Sequence, residues 1–114
     1  MDILEELSNI LKEIDIPIET GVFTNTPPKQ YLVLTPIAEW GAFYADNREK
    51  INRQEVRISL FSKFNYIKPK NEIIQLLKEA DFSLSDRRYI GREDDTGYYH
   101  FAIDVTKDYL IEEE

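Results

Sequence analysis

The 114-residue chain has no cysteine, one histidine (His100), one tryptophan (Trp40) and four glycines. Without cysteine there is no disulfide framework and no thiolate metal site, and nucleophilic thiol chemistry is excluded. One imidazole leaves little room for histidine-based acid–base or metal chemistry. The isolated glycines Gly41, Gly91 and Gly97 form neither a Rossmann nor a Walker pattern, so no phosphate-cradling loop is expected. Positive charge is also scarce: 14 Lys and Arg face 22 Asp and Glu, for a formal net charge of −8. Nucleic-acid binders carry a basic stripe that releases counterions from phosphates, and anionic membranes demand the same. Direct nucleic-acid and membrane partners are therefore not expected. No apolar run approaches the ~20 residues that span a bilayer. The acidic start Met1-Asp2-Ile3-Leu4-Glu5-Glu6 lacks the basic-then-apolar pattern of a secretory signal. The expectation is a cytoplasmic product whose N-terminus belongs to the fold.

What is present is an ordinary globular balance, 42% hydrophobic and 32% charged. Length and balance predict a single domain over 1–114 with its own core. Ile3, Leu4, Leu7, Ile10, Leu11 and Ile14 recur at three- and four-residue spacings, which predicts a helix over 2–14 with Asp2 as N-cap and Pro17 as stop. Residues 18–24 and 31–35 read as strands, and the turn Asn25-Thr26-Pro27-Pro28 between them suggests a hairpin. Alternation over 54–62 predicts a central strand. Val56, Ile58 and Leu60 point one way; Glu55, Arg57, Ser59 and Phe61 point the other. A second helix follows Tyr66, with Pro69 in its first turn and an apolar face of Ile73, Ile74, Leu76, Leu77 and Ala80. Strands over 83–90 and 98–106 flank the turn Glu93-Asp94-Asp95-Thr96-Gly97. The fold class is α+β: a mainly antiparallel sheet of four to five strands with two helices packed on one face. The other face carries Arg57, Ser59, Tyr98 and His100 and can meet water or a partner.

Residues 37–52 show no clear period and read as a long, irregular connection, of a kind that is often functional or mobile. Trp40, Phe43 and Tyr44 fall in it, followed by Asp46 and Arg48. Loop aromatics of this kind are enriched at protein interfaces, although folding back onto the domain is the competing reading. Trp40, Phe43, Tyr44, Asp46, Arg48 and Tyr66 are the candidate subunit-interface residues.

No constellation carries catalysis. A Ser-His-Asp triad from Ser62 or Ser85 with His100 is arithmetically possible, but no nucleophile elbow accompanies it. Glu93-Asp94-Asp95 lacks the alternating ligand grammar of a calcium loop. No catalytic residue, metal or cofactor is expected.

Four strings resemble a known family: Tyr31-Leu32-Val33-Leu34; Phe43-Tyr44-Ala45-Asp46-Asn47; the run from Val56 to Tyr66; and Asp95-Thr96-Gly97-Tyr98-Tyr99-His100. From about Tyr31 to Val105 the chain is similar to phage and prophage tail-completion proteins, the tail-terminator and tail-to-head joining group. The resemblance implies a non-enzymatic α+β virion subunit that assembles into a hexameric ring and can be a monomer alone. Its partners would be copies of itself, the tail tube and the head connector. Its location would be the host bacterial cytoplasm before assembly and the virion tail after it. The alternative is a small acidic binding or regulatory module, a nucleic-acid mimic or host-protein inhibitor, marked by a regular stripe of surface carboxylates. A third class, an enzyme on a small α+β fold, needs a concave pocket with perturbed titratable groups.

Overall fold

A computed structural model of the chain describes residues 2–20, 27–45 and 48–111, the side chains of residues 43–45 and 49 excepted. The first helix, α1, spans Ile3–Leu11. Asp2 caps it as expected: the Glu5 N–H donates to Asp2 Oδ1 at 2.9 Å, which satisfies one of the four orphan donors of the first turn. A short strand β1, Ile18–Thr20, follows Pro17. Two long strands come next, β2 over Gln30–Ala45 and β3 over Arg48–Ser62. Helix α2 covers Ile67–Glu79. The chain continues through β4, Ser83–Arg92, and β5, Tyr99–Leu110.

The second helix ends in a left-handed cap. The Asp81 N–H donates to the Lys78 carbonyl and the Phe82 N–H to the Leu77 carbonyl, the paired bonds of a Schellman motif. Asp81 holds φ 64° there, which a short polar side chain tolerates better than most.

The five strands described form one sheet in the order β1-β2-β3-β5-β4. Every neighbouring pair is antiparallel except β1 with β2. The fold is therefore α+β with a mainly antiparallel sheet. The hairpin expected between residues 18–24 and 31–35 is not formed: β1 runs parallel to β2, with Ile18 opposite Leu32 and Thr20 opposite Leu34. Two parallel neighbours need a crossover between them, not a tight turn. Residues 21–24 of the expected strand lie outside the described residues.

One face of the sheet holds the core. Leu32 and Leu34 of β2, Val56, Ile58 and Leu60 of β3, and Phe101, Ile103 and Val105 of β5 pair across the strands on this face. They join Ile3, Leu7 and Leu11 of α1 and Ile73 and Leu77 of α2 in a single buried cluster. At about 1.5–3 kcal/mol per fully buried aliphatic side chain, this cluster is the main stabilising element. A polar clasp closes its rim. The Lys107 ammonium donates to Glu6 Oε2 at 2.5 Å and to the Ala80 carbonyl at 2.8 Å, while the Tyr109 hydroxyl donates to Glu6 Oε1 at 2.9 Å. Strand β5 is thus tied at one point to α1 and to the end of α2. Burial, followed by the Glu6 bond, pushes the Tyr109 phenol far above its ordinary range, so it stays a donor.

The irregular connection expected over residues 37–52 is instead a pair of strand arms. β2 and β3 form one long hairpin whose pairing runs from Gln30–Ser62 to Ala45–Arg48. A bulge at Ile37, between the Pro36–Val56 and Ala38–Glu55 pairs, offsets the two halves. Beyond the Ile51–Leu110 pair, β5 no longer accompanies it. The far end is two-stranded, and the molecule measures 54 × 28 × 23 Å.

Candidate functional site: the open sheet face and the long hairpin

Opposite the core, the sheet presents a face that neither helix covers. Because directly paired residues share a face, the strand register sets its composition. It falls into three bands. At one end Tyr31, Phe61 and His100 lie side by side on β2, β3 and β5. Tyr31 stacks on Phe61 at 4.9 Å and Phe61 on His100 at 4.2 Å. Tyr98 meets Tyr31 edge-on at 5.4 Å, and its hydroxyl donates to the Pro28 carbonyl at 2.7 Å. In the middle, Val33, Ser59 and Ala102 form a row of small, buried residues. Toward the hairpin the face becomes a charge ladder. Arg57 donates through Nε and Nη2 to both oxygens of Asp104, at 2.8 and 3.1 Å. Two pairs further, Arg53 grips Asp108 in the same bidentate way, at 2.6 and 2.9 Å. Glu55 lies between them and accepts a bond from the Ser85 hydroxyl at 3.0 Å.

The electrostatics follow from these contacts. The Arg53 bond holds the Asp108 carboxyl below its usual range. Burial lowers the His100 pKa, with Arg57 adding to the effect and Glu93 opposing it. His100 is therefore neutral at pH 7. Its Nε2 is buried and has no hydrogen-bond partner among the described residues. Ser62 cannot serve it: Ser62 pairs with Tyr99 and Phe61 with His100, so the two side chains leave opposite faces of the sheet. Ser62 instead bonds Gln30 and the Phe64 carbonyl. Ser85 is engaged with Glu55 and the Asp104 carbonyl. Among the described residues no group of His, Asp and Glu is arranged to hold a metal.

The candidate interface residues do not make one patch. Trp40 pairs with Arg53 and stands on the open face, 42% exposed. It borders a cleft of about 660 Å³ shared with Arg53, Glu55, Ser83, Ser85, Thr106 and Asp108. Arg48 is exposed on the other arm of the hairpin, paired with Ala45. Phe43 and Tyr44 lie on the β2 backbone, so four of the six belong to one hairpin. Asp46 lies outside the described residues. Tyr66 is elsewhere. It stacks on Tyr89 at 5.6 Å and on Phe101 at 5.8 Å and contacts Tyr99 at 6.0 Å, which seats the start of α2 on the core face. Tyr99 and Asp108 are nine residues apart on β5, so the Tyr66 cluster and the Trp40 cleft are separated by roughly 30 Å of strand.

Sequence reasoning missed the two Arg–Asp ladders. Their signal was the period-two spacing Arg53, Glu55, Arg57 set against Asp104, Thr106, Asp108, which acquires meaning only once β3 and β5 are paired.

No helix among the described residues is long and apolar enough to cross a membrane. No protein-family model matches the chain, and no curated protein matches it.

Proposed function

We propose that the protein is a structural subunit of a phage or prophage tail, a ring-forming component that completes the tail and joins it to the head connector. One observation carries the reading: the long β2–β3 hairpin, whose outer β2 edge has no partner among the described residues past the Thr20–Leu34 contact. An unpaired edge is a template for another strand. Natural monomers blunt such edges, and β2 does so near its middle, by Pro36, the Ile37 bulge and Glu39. Trp40 adds an exposed aromatic of the kind that anchors interfaces. The element order and the strings from Tyr31 to His100 support the same reading by resemblance. The open face weighs against a nucleic-acid mimic, since two of its carboxylates, Asp104 and Asp108, are each paired with an arginine and so do not form an acidic stripe with Glu55.

The test is genetic. Deleting the gene from the phage or prophage that encodes it and inducing lysis is expected to yield filled heads lacking joined tails, together with tails of irregular length, under the electron microscope. Virions of normal form and number would sink the reading.

A further inference from the structure

The sheet has opposite charges at its two ends. On the β1 side, residues 12–20 carry three carboxylates (Glu13, Asp15, Glu19) against Lys12. On the far side, β4 carries Arg87, Arg88 and Arg92 against Asp86 alone. β4 is thus net positive in a chain of net charge −8. β1 and β4 are the two edge strands, and neither has a partner on its outer side among the described residues.

The two edges also match in shape. Along β1 runs a recess of about 480 Å³ lined by the apolar Ile14, Ile16, Pro17 and Ile18 and by the charged Asp15, Glu19 and Lys12, a net negative set. On β4 the bulge between Tyr89 and Gly91 displaces Ile90 from the ladder, and Ile90 is 47% exposed. Arg87, three residues earlier on β4, has no ion-pair partner among the described residues, while Arg88 pairs with Asp86 at 3.5 Å. One edge thus carries an apolar projection near Arg87, a cation without an ion pair among the described residues, and the other an apolar recess bordered by Asp15 and Glu19.

We infer that the β4 edge of one copy docks against the β1 edge of the next, with Ile90 entering the recess, Arg87 and Arg88 facing Asp15 and Glu19, and the sheet continuing from subunit to subunit. The occupant of each edge is a second copy of this chain. Such a contact is heterologous: each subunit offers both halves, so repetition closes a ring or grows a filament. Backbone pairing supplies affinity and the charges set partner and register. The inference rests on the self-assembly part of the reading above and specifies its interface.

The chain's lack of cysteine makes the test clean, because every thiol is an introduced one. Arg87→Cys and Glu19→Cys chains are mixed and treated with a flexible bis-maleimide. Each is also treated alone, and Glu19→Cys is mixed with Gln75→Cys on the exposed side of α2 as control. The 87–19 mixture is expected to give roughly tenfold more cross-linked dimer than any other combination, falling to the control level when salt is raised past the screening of the edge charges. Reversal by Arg87→Glu and Arg88→Glu should abolish the excess, and adding Asp15→Lys and Glu19→Lys in the partner should restore it. Equal yields in all mixtures, or no dimer in any, would overturn the inference. If the gene deletion nonetheless produces tailless heads, the tail reading stands and only this interface falls.

Discussion

The Arg57–Asp104 pair allows the sharpest check on how the sheet is held together. Asp104 sits mid-strand in β5 with its side chain only 12% exposed, and both its oxygens are taken by the Arg57 guanidinium at 2.8 and 3.1 Å. Replacing Arg57 by Met keeps the stem and removes both charge-assisted bonds. The carboxylate left behind, on a side chain only 12% exposed, has little access to water. A lone carboxylate in such a site costs about 3 kcal/mol, at the low end of the range for buried pairs because the arginine side of the contact is open to solvent. At a urea slope of roughly 1.5 kcal/mol/M, the midpoint should fall by about 2 M with the slope unchanged. The double variant Arg57→Met/Asp104→Leu removes the orphan charge together with its partner and is expected within about 1 kcal/mol of the native protein. Asp104→Leu alone, which leaves a half-exposed arginine able to turn to solvent, is expected to cost about 0 kcal/mol, so the cycle should return a coupling of about 2 kcal/mol, insensitive to moderate salt. Equal destabilisation of the single and double variants would refute the reasoning, because the loss would then lie in side-chain packing and not in an abandoned charge.

Two further outcomes follow from the same geometry. Burial depresses the pKa of His100 in the folded state, so above pH ~6.5, where the unfolded imidazole is also neutral, it has no effect on stability. As pH falls below that point the unfolded chain takes up a proton that the folded chain resists, and stability declines until the folded pKa is reached; the difference in urea midpoint between the native protein and His100→Gln should therefore change between pH 7 and pH 5, and a difference that is flat with pH would contradict this. Lys107→Met deletes the ammonium that joins Glu6 to the Ala80 carbonyl; a loss of about 2 kcal/mol, or roughly 8 °C in Tm, is expected by calorimetry, and an unchanged Tm would show that α1 and α2 are held by the apolar core alone.

Legibility from sequence tracked burial within this chain. Helix α1 was readable because Ile3, Leu7 and Leu11 all enter the core and so repeat at the helical period. β5 was readable because Phe101, Ile103 and Val105 alternate against the open face. The distal half of β2 was not readable for the converse reason. Ala38, Glu39 and Trp40 are all exposed, so no alternation marks their strand, and Pro36 and Gly41 read locally as breakers. Its strand state comes from pairing with β3, a contact far along the chain. The parallel placement of β1 was hidden in the same way, since turn chemistry in Asn25-Thr26-Pro27-Pro28 reports a change of direction but not which neighbour the chain then meets. Of the candidate interface, Trp40 and Arg48 fell on the hairpin as one element. Tyr66 could not be separated from them, because an aromatic before a helix looks the same whether it faces a partner or its own sheet.

That division bears on function. Every fully buried large aliphatic side chain among the described residues lies on the helix-covered face, so stability is concentrated on one side of the sheet. The open face and the hairpin are held by pairwise contacts across strands: stacked rings at one end, bidentate ion pairs at the other. Such contacts fix register, and a one-residue slip would break both Arg–Asp pairs at once. The Arg57 and Arg53 pairs pin β3 against β5, so the base of the hairpin is anchored to the sheet up to the Ile51–Leu110 pair. The hairpin can therefore present Trp40, and an edge that no described residue covers, without drawing on the core, as the proposed assembly through a neighbour's strand requires.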